Sequence, residues 1–99
     1  MKETEIQAAI LDYFRLKGHF FWRNNSGAFK IGRGGFYRVG TPGAPDIIEC
    51  VDDKFVGLEV KTEKGRMSIL QESFARTMQV AGGRYHVVRS IDDVITIGL

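Results

Sequence analysis

The chain is 99 residues long, 43% apolar and 26% charged, with two prolines and a net charge of +2; that is one domain, residues 1–99, with material for a single core, and it excludes a disordered chain. The single cysteine, Cys50, excludes an intrachain disulfide framework and a cysteine-built zinc site, and it fits a reducing compartment. No run approaches the about 18 apolar residues of a membrane span, and the opening MKETEIQ lacks the apolar core of a signal peptide, so a cytoplasmic protein without membrane contact is expected.

Ile6, Ala9, Ile10, Tyr13 and Phe14 form one apolar stripe, which predicts a helix over 4–17. A Thr4–Gln7 capping box opens it and Gly18 ends it. HFFWRN, 19–24, predicts a strand and NNSG a turn. AFKIGRGGFYRVG, 28–40, predicts a hairpin or a long mobile loop with strand-like flanks. DIIECV and KFVGLEVK predict two antiparallel strands joined at Asp52-Asp53. Ser68 and Gln71 form a second capping box, opening a helix to about Ala81 whose buried side is Leu70, Phe74, Met78 and Ala81. Gly82-Gly83 stops it; RYHVVRS predicts a fourth strand and IDDVITIG a short closing helix or turn. The expected class is α/β, a mixed β-sheet flanked by helices.

The charge is lopsided. Between Tyr13 and Pro45 stand Arg15, Lys17, Arg23, Lys30, Arg33 and Arg38, and no acid. A solvated surface accounts for such a run, and so does a flank that faces a polyanion. Within it, GAFKIGRGGFYR interleaves Lys30, Arg33 and Arg38 with aromatics and glycines, a pattern suited to phosphate contact. Phe20, Phe21 and Trp22 read as core or dimer interface, and His19 and His86 as structural.

The chemistry gathers in TPGAPDIIECVDDKFVGLEVK, 41–61. Side chains alternate along a strand, so Glu59 and Lys61 share a face with Gly57, while Leu58 and Val60 point the other way. A two-residue turn at Asp52-Asp53 sets Asp46 opposite Glu59, with Cβ atoms about 4.5–5.5 Å apart. Two carboxylates that close repel unless a cation lies between them. Mg²⁺ suits such a pair of hard oxygen ligands, and Lys61 can orient a water or stabilise charge growing on a phosphate. Alone, Glu59 and Lys61 make an ordinary solvated ion pair worth about 0–1 kcal/mol; the ordered combination with Gly-x-Pro-Asp makes the metal reading stronger.

That combination resembles the PD-(D/E)xK nuclease superfamily, and most closely its VRR-NUC family, the virus-type replication-repair nucleases. The resemblance runs along nearly the whole chain: the opening helix with Glu5 and Gln7, GAPD at 43–46, LEVK at 58–61, Ser68 with Gln71, and Gly82-Gly83 before YHVVR. It implies a restriction-endonuclease-like core in which Asp46, Glu59, the Val60 carbonyl and Glu5 hold Mg²⁺, for which Mn²⁺ substitutes. It further implies Lys61 as the catalytic lysine, with Gln71 near the metal and the scissile phosphate. The implied activity is metal-dependent DNA cleavage. The stand-alone members of the family imply a homodimer that resolves four-way (Holliday) junctions, with Lys30, Arg33 and Arg38 on the DNA. Flap or duplex cutting, a non-catalytic nucleic-acid module on the same fold, and a protein-interaction domain are the alternatives.

Overall fold

The computed structural model describes residues 1–24 and 27–99. The side chains of residues 27–30 and of Arg38 lie outside that description, as does the turn expected at NNSG, which falls on Asn25 and Ser26.

Helix α1 spans Glu3–Lys17 and buries Ile6, Ile10, Leu11 and Phe14. It begins two residues earlier than the Thr4–Gln7 box implies. Lys2 is the capping residue, and the Glu5 carboxylate accepts its backbone N–H at 3.4 Å. Gly18, in the left-handed region at φ 74°, ends the helix as expected.

Four strands form the main sheet in the order β1 (Phe20–Arg23), β4 (Ile47–Val51), β5 (Lys54–Val60), β6 (Arg84–Val88). The first two pairings are antiparallel and the last is parallel, so the sheet is mixed. Asp52 and Asp53 both take positive φ, 49° and 64°, the conformation a tight two-residue hairpin demands. That turn fixes the register Ile47↔Leu58 and carries Asp46 to the level of Glu59. Strands β2 (Gly27–Ile31) and β3 (Gly35–Val39) form a separate hairpin, which resolves the hairpin-or-loop alternative at 28–40.

Helices α1 and α3 (Ile91–Thr96) cover one sheet face, where Ile6, Ile10, Phe14, Ile47, Leu58, Val60, Val88 and Val94 make the core. Helix α2 (Ile69–Val80) lies against β6 on the other face. Its expected buried side is only partly buried. Met78 is buried and Phe74 half-buried, but Leu70 is 60% exposed and Ala81 is exposed. The reason is placement: α2 rests on the sheet through β6, and the remaining stripe borders an open apolar groove lined by Trp22, Ile48, Phe55, Phe74 and Ala81. Gly57 lets the chain close up beneath α2, since a Cβ there would lie 2.6 Å from Pro45 Cγ. No helix among the described residues is long and apolar enough to cross a membrane.

Candidate metal and phosphate site

The site lies at one end of the main sheet, where three separate elements deliver carboxylates. Asp46 arrives from the TPGAP loop. Gly43, at φ 83°, seats that loop so tightly on the first turn of α2 that any Cβ would strike the Leu70 carbonyl. Asn24 pins the loop from the other side: its N–H donates to the Asp46 carbonyl at 2.7 Å and its Nδ2 to the Pro45 carbonyl at 3.1 Å. Asp46 Oδ2 accepts the Val60 N–H at 2.8 Å, which orients the carboxylate and leaves its second oxygen for another partner.

Glu59 comes from β5 and is buried. Its Oε2 accepts from Gln71 Nε2 at 3.0 Å and lies 3.5 Å from Lys61 Nζ. The phenol of Tyr85 donates to its Oε1 at 3.5 Å. Gln71 is held for this contact by the expected capping box. Its Oε1 accepts the Ser68 N–H at 2.9 Å, and its own N–H donates to Ser68 Oγ at 3.1 Å. The amide nitrogen is thereby turned to Glu59. Ser68 acts as a cap.

The third carboxylate is Glu3, not Glu5. Ligand oxygens of Glu3, Asp46 and Glu59 lie within 4.8 Å of one another, whereas Glu5 is exposed and turned to the helix cap. The cause is helical phase. Two residues rotate the side chain by about 200°, so acids at 3 and 5 point nearly opposite ways. Glu3 falls on the stripe that continues through Ile6 and Ile10, one turn ahead of the core; that spacing was the available signal.

Asp46, Glu59, Lys61 and Gln71 are thus brought together as expected, and Val60 lines the adjoining cavity. That cavity, of about 170 Å³, is bordered by Glu3, Thr4, Gln7, Arg23, Asn24, Asp46 and Val60. Arg23 went unassigned in the sequence. Among the described residues it pairs with no carboxylate, although it borders a cavity that two of them line. Arg89 braces the loop after Lys61, donating to the carbonyls of Thr62 (2.5 Å), Gly65 (2.7 Å) and Glu63 (3.2 Å). Of the expected DNA contacts, Arg33 is exposed at the hairpin tip; the side chains of Lys30 and Arg38 lie outside the described residues.

The electrostatics are unbalanced. Burial first, and then the Asp46 charge, push the Glu59 carboxyl up to about 8, against the opposing pull of Lys61. Burial and the same two carboxylates hold the Tyr85 phenol well above its usual range. A divalent cation among Glu3, Asp46 and Glu59 would relieve this repulsion with hard oxygen donors, the donor set that suits Mg²⁺ or Mn²⁺. Compared with protein-family models and with curated proteins, the chain matches none.

Proposed function

We propose that the protein is a metal-dependent DNA endonuclease of the VRR-NUC kind, built on a PD-(D/E)xK core, that hydrolyses phosphodiester bonds in branched DNA in the cytoplasm. One observation carries this reading. Glu3, Asp46 and Glu59 converge from three elements, and Lys61 and Gln71 meet on the most buried of them. An incidental surface cluster has no reason to bury Glu59 beside Asp46, because burial and like charge both disfavour it.

Asp46 and Glu59, with Glu3 and the Val60 carbonyl, would hold Mg²⁺, which when bound supplies charge neutralisation for the phosphate and a more acidic water. Asp46 is kept in position by the Val60 N–H and Glu59 by Gln71 and Tyr85. Lys61, two residues beyond Glu59 on the same face, presents its ammonium to the attacking water or to charge growing on the phosphate. Arg23 borders the adjoining cavity and offers a second cation for a neighbouring phosphate.

The same reading includes a homodimer, in which a twofold axis sets two sites on opposed strands of a four-way junction. Phe20, Trp22 and Phe55, exposed on one face of the sheet, supply apolar area that a second copy would cover. The test is cleavage of a labelled four-way junction and a matched linear duplex in Mg²⁺, Mn²⁺ and EDTA. Paired symmetric nicks in the junction, lost in EDTA, are expected. Equal cutting of the duplex would remove the junction preference, and binding without cutting in any cation would reduce the protein to a nucleic-acid module.

A further inference from the structure

Strands β2 and β3 pair from Gly27↔Val39 to Ile31↔Gly35, and neither pairs with the main sheet. Among the described residues, they contact no other element. A hairpin that adds nothing to the core has no folding reason to carry large apolar side chains. This one carries Ile31, Phe36 and Tyr37, exposed at 54%, 71% and 60%. Phe36 and Tyr37 are consecutive on β3, so they project from opposite faces. Each face of the hairpin therefore presents an aromatic ring.

The hairpin is also tied to the carboxylate site by its chain connections. It leaves the body at Asn24, which borders the cavity and bonds to Pro45 and Asp46. Three residues of chain reach at most about 10 Å, so Gly27 starts within that distance of Asn24. Its return runs through Gly40 to Asp46 itself. At the tip, exposed Arg33 sits between Gly32 and Gly34, both at positive φ (54° and 72°).

We infer that this hairpin selects branched nucleic acid: Phe36 and Tyr37 stack on bases left unpaired at the branch, and Arg33 holds a flanking phosphate. The inference rests on the nuclease reading of the adjoining site and names the element that would give it substrate choice. Charge favours this occupant, since no acid stands between Tyr13 and Pro45 while six basic residues do. Aromatic rings accept the face of any base, and those faces are hidden in a duplex and open at a branch. A ring on each side of a narrow hairpin suits a wedge between diverging arms.

The test is fluorescence-polarisation binding in Ca²⁺ of wild type, Phe36→Ala, Tyr37→Ala and Tyr37→Phe to a four-way junction and to linear duplex of the same sequence. A second junction carries 2-aminopurine at the branch. The alanine variants are expected to weaken junction binding by about 5- to 100-fold, leave duplex binding unchanged and abolish the branch-specific change in 2-aminopurine emission. Tyr37→Phe should bind as wild type, and thermal melting should be unchanged in all. Equal losses on both DNAs, or no loss, would overturn the inference. So would loss of a dimer in sedimentation with DNA binding intact, which assigns the rings to a second copy. Cleavage by wild type separates the two readings. Cutting with unaffected hairpin variants fails the hairpin alone, and no cutting with junction-selective losses fails the nuclease alone.

Discussion

Glu49 and Glu59 stand on the two strands of one β-hairpin and are both buried, at 0% and 2% exposure. Their surroundings differ completely. Glu49 faces α1, where His19 Nδ1 lies 2.5 Å from its Oε1 and the His19 ring stacks on Phe14. The two groups are in close contact without forming a hydrogen bond. Burial raises the Glu49 carboxyl, and His19 with Lys17 pulls it back. Glu59 has Lys61 but also Asp46, a second acid that raises it further. A buried carboxylate with a single imidazole beside it, its oxygens otherwise without hydrogen-bond donors, faces no second acid. One forced beside another carboxylate is incomplete, and its electrostatics call for a cation from outside.

The sharpest contrast comes from removing each acid. Glu49→Ala leaves a hole in the core beside His19 and should cost about 1–3 kcal/mol in urea denaturation, with cleavage per folded molecule unchanged. Glu59→Gln relieves a repulsion, so stability should hold or rise while cleavage disappears. If both variants lose stability equally, the distinction between the two acids fails. Lys61→Ala should lower the cleavage rate by about 100- to 1,000-fold with little change in melting.

The two glutamates also differ in how their contributions to stability respond to pH and Mg²⁺. Both glutamates have raised folded-state values, so between the ordinary value of 4.5 and, for Glu59, about 8 the folded chain binds more protons than the unfolded chain. Stability therefore falls as pH rises through that window. Saturating Mg²⁺ should remove the Glu59 share of this slope, because a ligating carboxylate is already deprotonated, and leave the Glu49 share. Melting temperatures from pH 5 to 8, with and without Mg²⁺, would read this directly. The smallest effect is expected at Arg23. Arg23→Gln should weaken binding evenly across DNA shapes and lower the salt slope by about 1, unlike the shape-selective losses at Phe36 and Tyr37.

Much of the site was legible because its register is local. A two-residue turn at Asp52-Asp53 fixes which residues face each other, so Asp46, Glu59 and Lys61 follow from strand alternation alone. The Ser68–Gln71 cap was equally local, but its second use, orienting the amide to Glu59, depends on where α2 lands. Glu3 was missed because it lies just outside the expected helix span 4–17, so the stripe of Ile6 and Ile10 stops one turn short of it. The resemblance instead implies Glu5 as the first-helix acid. The exposure of Leu70 and Ala81 was missed because periodicity identifies an apolar stripe without saying how far a sheet extends beneath it. Glu49 and Tyr85 gave no sequence signal: their neighbours come from elements far along the chain.

The most direct test is Mn²⁺ binding by calorimetry to the wild type, Glu59→Gln and Glu49→Gln. Binding is expected in the wild type and in Glu49→Gln, and none in Glu59→Gln. Binding that survives Glu59→Gln, or no binding to the folded wild type, would contradict the claim that Glu59 is the buried member of a metal site.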